Sequence, residues 1–270
     1  MHVASDYNFP AQTPGGSLTA ATPATVTLAP CPLGINGTDV AHYLYVSAGT
    51  GTAEAVLITG GTCTSGLTTG TITFTPANNH SGAWTVTSAT GGIQEAVQGS
   101  ATGSEIQISS SITTYATVTI SGKTLTISGT GFWNVSVTRA ASFTTGDMFS
   151  LGSGGIATFK DLFLSSTSPA VLYAEIRANA GSGLRLFNVT INASYRGIVD
   201  DSAGSMFIDG LTFINGDATS IGVEVKCSGA TPGNIQLLNS FIVGTMSVGY
   251  YQTCADGVLL DNVWMGGTGT

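Results

Sequence analysis

One short pattern, which recurs six times at nearly regular intervals, constrains the fold of this chain more than any other feature of its sequence. The pattern is Asn, Asp or Gly, then an apolar residue, any residue and a second apolar residue, although Ser240 takes the first apolar place after the fifth anchor. The six anchor positions are Asn134, Asp161, Asn188, Gly210, Asn239 and Asn262. A single repeat of this length cannot bury its apolar face alone, so the repeats must stack on one another.

Each repeat contains three short strand-like runs: one before the anchor, one after it and one about a dozen residues later. Asn and Asp tolerate the left-handed backbone conformation, so the anchor predicts a turn, and stacked Asn side chains can exchange hydrogen bonds between coils. The spacing fits one coil of a parallel β-helix. A leucine-rich repeat would need a Leu-x-x-Leu-x-Leu pattern with a more constant period, which the chain lacks.

The sequence before the repeats divides into two parts. Residues 1–24 are polar and without periodicity, which predicts a flexible arm or a segment ordered by a partner. Residues 25–89 contain short alternating runs separated by Gly, Asn and Pro, which predicts a small antiparallel, sandwich-like β domain. Residues 90–98 (TGGIQEAVQ) form the one convincing helical segment, with Thr90 as its cap. The predicted fold class is therefore all-β, with a parallel β-helix over residues 90–270.

Three segments carry a resemblance to a known family: GIQEAV (92–97), EIQISS (105–110) and KTLTISGTG (123–131). Together they resemble the opening of pectate-lyase-like right-handed parallel β-helix proteins, which include polysaccharide lyases, polygalacturonase relatives and phage tailspikes. The resemblance covers about residues 90–270 and implies a right-handed solenoid whose first coil is capped by a short helix. No capping helix follows the last repeat. With the likeness to tailspikes, this favours a homo-oligomer, with a trimer as the expected state.

Charge excludes some partners. Only 8% of the residues are charged, with 7 basic and 15 acidic residues and a net charge of −8, against about 25% charged residues in an ordinary domain. Seven basic side chains are too few to neutralise a phosphate backbone. Nucleic acid is therefore not an expected partner. No run approaches the roughly 18 apolar residues of a membrane span, and no such span is expected.

The acidic residues of the repeats recur at similar distances after the anchors, which predicts a carboxylate column on stacked coils. Its members are Asp147, Glu175, Asp200, Asp201 and Glu224. Arg177 and Lys226 each follow a member by two positions, and period-two alternation predicts that these charges point outward.

Two interpretations of the carboxylate column remain open. In an enzyme that cleaves glycans, two nearby carboxylates act as acid and as base or nucleophile. The candidates for that role are Asp200, Asp201, Glu175 and Glu224, with Arg177, Arg196, Lys226 and Asp147 as substrate-binding residues. In a structural protein, the same charges keep an exposed sheet soluble and oppose edge pairing.

The family resemblance narrows the possible chemistry. Of the sequence blocks of polygalacturonase-like hydrolases only Asp200-Asp201 is present, no His follows His80 and no Arg-Ile-Lys occurs, so that activity is disfavoured. No cofactor is expected, except that a lyase of this family would bind calcium through carboxylates. Tailspike-type hydrolases use only carboxylates for catalysis, so an activity of this type remains compatible with the sequence.

Cysteine and aromatic residues add further expectations. Cys31 with Cys63, and Cys227 with Cys254, form two sequence-local pairs that predict either two disulfides or four buried thiols. Phe163 and Trp264 fall on outward positions of their repeats, where they would stack on sugar rings or form an oligomer contact.

The function predicted from these features is a fibre or spike-like protein of the extracellular space, cell surface or virion. It would form oligomers and display a surface that binds a polysaccharide or cell-surface glycan. One alternative is a secreted polysaccharide lyase or glycoside hydrolase that uses the carboxylate column. The other is a purely structural surface or filament protein.

Overall fold

The computed structural model describes residues 1–38, 42–131, 135–166, 173–192, 195–202, 205–215, 220–226, 234–253 and 257–266. The chain divides into two compact units. The smaller unit contains His2–Ser100 and Thr114–Ala116, and the larger unit contains Met1, Ala101–Thr113 and Thr117–Thr270. Nearly all regular structure is β, with large parallel sheets in the larger unit. No helix in the described residues is long and apolar enough to cross a membrane.

The described elements are two short helices and 24 strands. The helices are α1 (Ala4–Tyr7) and α2 (Ile93–Gly99). The first strands are β1 (His2–Val3), β2 (Ala24–Leu28), β3 (Tyr43–Thr50), β4 (Glu54–Gly61), β5 (Gly70–Phe74) and β6 (Ser81–Ser88). The next are β7 (Glu105–Ile108), β8 (Ile112–Thr114), β9 (Val118–Ile120), β10 (Thr124–Gly129), β11 (Ser136–Arg139), β12 (Phe149–Leu151), β13 (Ile156–Ser166), β14 (Ala174–Ala178) and β15 (Gly183–Asn192). The last are β16 (Arg196–Asp200), β17 (Met206–Asp209), β18 (Thr212–Asn215), β19 (Ile221–Val225), β20 (Ile235–Leu238), β21 (Phe241–Gly244), β22 (Val248–Gln252), β23 (Val258–Asp261) and β24 (Trp264–Gly266).

The smaller unit is built on a five-stranded antiparallel sheet in the order β2-β5-β4-β3-β6. Its alternating strands bury one side chain in two around Trp84 and Phe74. A disulfide joins Cys31 to Cys63 at the edge of this core, with their Cα atoms 5.6 Å apart. The second predicted pair, Cys227 and Cys254, lies outside the described residues.

The N-terminal segment, residues 1–24, bonds to this sheet. Leu18 and His80 exchange backbone hydrogen bonds of 2.8 and 3.0 Å, and Gln12 and Val86 exchange another pair of 3.0 and 2.8 Å. Leu18 is also buried. The sequence predicts a flexible arm or a segment ordered by a partner here, whereas in the structure Gln12 and Leu18 pair with residues of the same chain.

Helix α2 belongs to the smaller unit rather than to the larger one. Its apolar side chains Ile93, Ala96 and Val97 are buried, and Gly92 rather than the predicted Thr90 occupies the N-cap position. Thr90 lies two residues earlier, and its Oγ1 accepts a hydrogen bond of 3.0 Å from Gln94 N in the first turn. Glu95 is buried too. Its carboxylate accepts from Ser88 Oγ at 2.8 Å and lies 3.2 Å from His42 Nε2, which compensates for its burial.

The larger unit contains two parallel sheets. In the long sheet the strands follow the order β7-β10-β13-β15-β17-β20-β23, and β18, β21 and β24 continue the pairing beyond the anchors. In the six-stranded sheet the order is β9-β12-β14-β16-β19-β22. Successive repeats therefore add strands to the same two sheets, an arrangement compatible with a β-helix-like fold.

The register of the long sheet follows the sequence repeat. Ile156 lies opposite Gly183, Leu184 opposite Met206, Met206 opposite Ile235, and Ile235 opposite Val258. In each pair, the sequence separation of the two residues equals the separation of the anchors of their two repeats. Inward positions form apolar rows, such as the row of Phe159, Leu186, Ile208 and Leu237, all of them fully buried.

The anchors adopt the predicted turn. Asp161, Asn188, Asn239 and Asn262 have positive φ angles between 45° and 54°, and Gly210 has a φ of 75°. Asn188 Nδ2 donates to Asp161 Oδ1 at 3.2 Å, and Asn262 Nδ2 donates to Asn239 Oδ1 at 2.8 Å. Gly210 has no side chain, and Asn239 Nδ2 instead reaches Asp209 Oδ1 at 2.9 Å. The described anchors thus form an interrupted hydrogen-bonded ladder, and Asn134 lies outside the described residues.

Candidate functional site

Arg177 joins two of the predicted site carboxylates. Its Nε donates to Asp147 Oδ2 at 2.7 Å and its terminal nitrogen donates to Asp201 Oδ2 at 2.8 Å. Burial alone lowers the pKa of Arg177, but the hydrogen bonds and charges of Asp147 and Asp201 outweigh it and raise that pKa. Asp147 Oδ1 also accepts from Ala174 N at 2.7 Å. Asp147 and Asp201 are thus tied to β14, the strand that carries Arg177.

Glu224 is the centre of a second group. Its Oε2 lies 3.1 Å from Arg196 Nε and its Oε1 lies 3.4 Å from Lys226 Nζ. The Arg196 N–H does not point at the carboxylate, so that contact is an ion pair without a hydrogen bond. The pairing of Glu224 with Lys226 agrees with the period-two spacing of the two residues in β19 and after it.

Glu175 lies in the interior, and its basic partner Arg139 is not among the residues that the sequence predicts for the site. Its carboxylate accepts a hydrogen bond from Ser166 Oγ and lies 3.8 Å from a terminal nitrogen of Arg139, not next to Arg177. Arg139 is itself buried at the end of β11 and donates to the carbonyls of Gly146 and Ala174 at 2.6 and 2.7 Å. Burial raises the pKa of Glu175, while the nearby Arg139 charge opposes that shift.

Asp200 differs from the other predicted carboxylates because it has no basic partner within the described residues. Its Oδ1 accepts from the backbone N and the Oγ of Ser202 at 2.8 and 2.6 Å. Its Oδ2 is buried without a hydrogen bond to any described group. Burial raises the pKa of this carboxyl group, and the charge of Asp201 adds to the shift.

The strand register does not place these carboxylates in one column. Arg177 lies opposite Val199, which lies opposite Glu224, whereas Asp200 lies between Ala178 and Val225. Glu175 and Glu224 are therefore two positions out of register. The prediction of a column failed because the segments between the anchors and the six-stranded sheet differ in length from repeat to repeat.

The prediction that the charges point outward is also wrong for the carboxylates on the strands. Glu175 and Asp200 have no exposed surface, and Glu224 is 4% exposed. A glycan cannot reach Glu175 or Asp200 unless the surrounding structure opens. In addition, ion pairs already occupy Asp147, Asp201 and Glu224. The ion pairs with arginine join residues of different repeats, and within the described residues no pair of carboxylates suited to act as acid and base faces an open cleft. No group of three or more metal-ligating side chains occurs in that part of the chain either.

A different surface has the features of a binding site. A groove of about 630 Å³ crosses the outer face of the long sheet over strands β13, β15, β17 and β20. Its lining includes Ile156, Arg185, Phe187, Phe207, Asn234 and Gln236. The rings of Phe187 and Phe207 lie 5.4 Å apart. Arg185, Phe207 and Gln236 lie opposite one another on successive strands, so they form one outward row.

Alternation and a missing side chain create this groove. Leu184 and Leu186 of β15 point into the core and are buried, which leaves Gly183, Arg185 and Phe187 on the outer face. Gly183 supplies no side chain there, and the nearest atoms to a Cβ atom at this position would be Ile156 side-chain carbons at 3.6 Å and the Ser205 carbonyl oxygen at 3.9 Å. The depression is thus open because glycine occupies an outward position. The sequence signal for the groove was the apolar Phe187 and Phe207 at outward positions of their strands.

A second exposed aromatic group lies further along the same sheet. Trp264, at 55% exposure, stacks on Phe241 with ring centroids 4.5 Å apart and an interplanar angle of 12°. Trp264 faces outward as predicted. Phe163, which lies between the buried Leu162 and Leu164, also takes an outward position but is half-buried. Because Phe241 and Trp264 lie opposite each other in register, the pair forms a flat apolar platform.

No protein-family model matches this sequence, and no curated protein matches it either. Function is therefore inferred from the side chains and their geometry.

Proposed function

We propose that the larger unit is a right-handed parallel β-helix of the pectate-lyase-like kind. Strands that recur at the anchor spacing and pair in parallel in two sheets support a coiled path for the chain. The ladder of left-handed anchors supports it as well, since each coil then turns at an equivalent position. Right-handedness is the usual hand of connections between parallel strands in one sheet.

The protein is, in this proposal, an extracellular, cell-surface or virion fibre or spike that displays a glycan-binding surface. The observation that carries it is the groove with the Phe187 and Phe207 rings beside the amides of Asn234 and Gln236. Aromatic faces stack on the apolar faces of sugar rings, and amides hydrogen-bond to sugar hydroxyls, so the groove combines the two contacts that a carbohydrate needs.

A binding role is favoured over cleavage because the predicted catalytic carboxylates are buried or occupied. Glu175, Asp201 and Glu224 each contact a basic side chain, and Asp200 is sealed from solvent. A polysaccharide lyase or glycoside hydrolase remains the alternative, with calcium as the cofactor of a lyase. It would need a conformation in which at least two of these groups become accessible.

Assembly into a homo-oligomer, with a trimer as the proposed state, is supported by exposed apolar side chains. Phe241, Tyr251, Leu259, Leu260 and Trp264 are each more than one-third exposed. Contiguous exposed apolar patches are a feature of protein–protein contact sites, and Phe241 and Trp264 form such a contiguous pair. Sedimentation analysis of the purified chain tests the oligomeric state, and a monomer at all concentrations contradicts it.

The glycan-binding proposal is tested with a polysaccharide panel and the double variant Phe187→Ala/Phe207→Ala. The wild-type protein should bind at least one glycan, and the double variant should bind it about tenfold more weakly, since each lost aromatic contact is worth about 0.5–1.5 kcal/mol. The matched control is Phe241→Ala, which removes an exposed ring elsewhere on the sheet. If Phe241→Ala weakens binding more than the double variant does, the glycan binds at the Phe241–Trp264 pair and the proposed site in the groove is wrong.

The same panel separates binding from cleavage. Reducing ends and the absorbance of unsaturated products are followed for wild type and for Asp200→Ala/Asp201→Ala. We expect no product from any glycan. Product formation that the double alanine variant abolishes would establish the enzyme alternative instead.

A further inference from the structure

Arg185 stands apart from the other basic residues of this acidic chain. Five of the seven Lys and Arg residues form ion pairs with carboxylates: Arg139, Lys160, Arg177, Arg196 and Lys226. Arg185 is exposed and makes neither an ion pair nor a side-chain hydrogen bond with any residue that the structure describes. In a chain with a net charge of −8, an uncompensated cation is available for a negatively charged ligand.

The position of Arg185 shows where such a ligand would lie. Phe207 is its direct neighbour on the next strand, and Phe187 is two residues along its own strand on the same face. The carboxylate of Asp209, opposite Phe187, already accepts a hydrogen bond from Asn239. The guanidinium thus borders the aromatic part of the groove, and no anionic group of the described residues is bound to it.

Apart from Arg185, the residues that line the groove are uncharged. Lys160 and Asp209 flank Phe187 on the two adjacent strands, outside this lining. One end is formed by Ile156 and Gly183 and the other by Asn234 and Gln236. From β13 to β20 the groove crosses four strands, about 14 Å at the usual spacing of about 4.7–4.9 Å, which is room for more than one sugar ring. A ligand that fits this lining carries one negative charge between neutral parts.

We propose that the groove binds a glycan in which an acidic sugar is flanked by neutral sugars, and that the Arg185 guanidinium pairs with the carboxylate of that acidic sugar. This inference rests on the proposed glycan-binding function. The planar guanidinium matches a carboxylate in a two-point contact. The Phe187 and Phe207 rings hold the face of the sugar, and the Asn234 and Gln236 amides bind hydroxyls of its neighbour. A polymer with an acid on every sugar is disfavoured, because its further charges meet only neutral groups and a negatively charged protein.

The test compares three ligands by calorimetry with the full chain: an oligosaccharide with one uronic acid between neutral sugars, the same oligosaccharide after reduction of its carboxyl group, and an oligouronate of equal length. The first should bind at least tenfold more tightly than the other two. Arg185→Gln should remove this preference, so that the acidic and the reduced ligand bind equally tightly, and Arg185→Lys should retain part of it. The control is Lys160→Gln, which removes an exposed, ion-paired cation that lies opposite Phe187 but outside the lining of the groove. It should leave the preference for the acidic ligand unchanged.

The outcomes separate this inference from the proposed function. Equal binding of the acidic and reduced ligands, or loss of the preference in Lys160→Gln, overturns the role of Arg185 and leaves glycan binding intact. Tightest binding of the oligouronate overturns the single-acid specificity. If none of the three ligands and no member of the polysaccharide panel binds, the proposed function itself fails.

Discussion

At the scale of single residues, Asp200 is a buried side chain whose ionisation works against folding and which has no basic partner among the described residues. Its Oδ2 is buried without a hydrogen bond to any described group, and burial raises the pKa of the carboxyl group above its ordinary value of 3.8. The folded protein therefore holds this proton more tightly than the unfolded chain. At low pH the carboxyl group is neutral in both states, so Asp200 does not lower the free energy of unfolding. This free energy falls as the pH rises from 3.8 to the higher pKa of the folded state, because only the unfolded chain then ionises freely.

Asp200→Asn should stabilise the protein at pH 7. The amide keeps an acceptor for Ser202 and replaces the buried charge, so we expect a gain of about 1–2 kcal/mol in the free energy of unfolding. Near pH 3 the gain should vanish, because Asp200 is then neutral in both states. Denaturant unfolding at the two pH values measures this. Asp201→Asn, which weakens the contact with Arg177, is the control and should be destabilising at pH 7. A gain for Asp200→Asn that does not depend on pH would contradict the explanation.

A second measurement reports on the same charge. Burial, together with the charge of Asp200, raises the pKa of Tyr250 to about 12. Asp200→Asn removes the electrostatic part and should lower this pKa. Ultraviolet titration of phenolate follows it, and subtraction of the Tyr250→Phe titration isolates Tyr250 from the other tyrosines of the chain. An unchanged pKa would mean that the Asp200 carboxyl group is neutral while Tyr250 titrates.

At the scale of the strands and turns, the anchor ladder fixes the long sheet. Asn188 has a φ of 51° and donates to Asp161. Asn188→Ala should lower the free energy of unfolding by about 1–2 kcal/mol, because alanine is strained in the left-handed conformation and lacks the hydrogen bond. Asn188→Gly should cost less, since glycine adopts this conformation freely. Thermal unfolding of the two variants measures the difference. Equal losses would show that the hydrogen bond rather than the backbone conformation matters.

The sequence predicted the parallel pairing of the long sheet well because an Asn, Asp or Gly that adopts the left-handed conformation marks each described turn. Strands before and after an anchor are rigidly spaced from it, so the anchor spacing became the strand register. The six-stranded sheet has no such marker. Arg177, Val199 and Glu224 lie opposite one another, yet each follows its own anchor at a different distance along the sequence. The number of residues between an anchor and a carboxylate therefore does not predict which residues lie opposite one another in this sheet.

The candidate site was only partly predictable for a related reason. Alternation assigns a side chain to one side of its strand, but it does not reveal what covers that side. Arg139 precedes Glu175 by more than one full repeat and buries that carboxylate, which no local pattern indicates. The groove depends on the neighbours of Gly183 on adjacent strands. Both features arise from the stacking of repeats.

At the scale of the whole molecule, the few charged residues mainly form contacts between repeats. Arg177 connects Asp147, before β12, to Asp201, after β16, so one cation links three successive strands of the six-stranded sheet. Glu224 likewise joins β19 to Arg196 of the neighbouring β16. The few charges thus serve contacts between repeats, while the groove on the long sheet keeps in Arg185 a cation with no anionic partner among the described residues.

The Cys31–Cys63 disulfide should stabilise the smaller unit selectively. It closes a loop inside that unit across a sequence separation of 32, and a loop of this length contributes about 3 kcal/mol. In Cys31→Ser/Cys63→Ser, the amides of β3–β6 should lose hydrogen-exchange protection, while those of β13 and β15 should keep theirs. Mass spectrometry of exchanged peptides resolves the two sets. Asn188→Ala is the reciprocal control, because it should weaken β13 and β15 and leave β3–β6 protected. Equal loss of protection in both sets for either variant would show that the two units unfold as one.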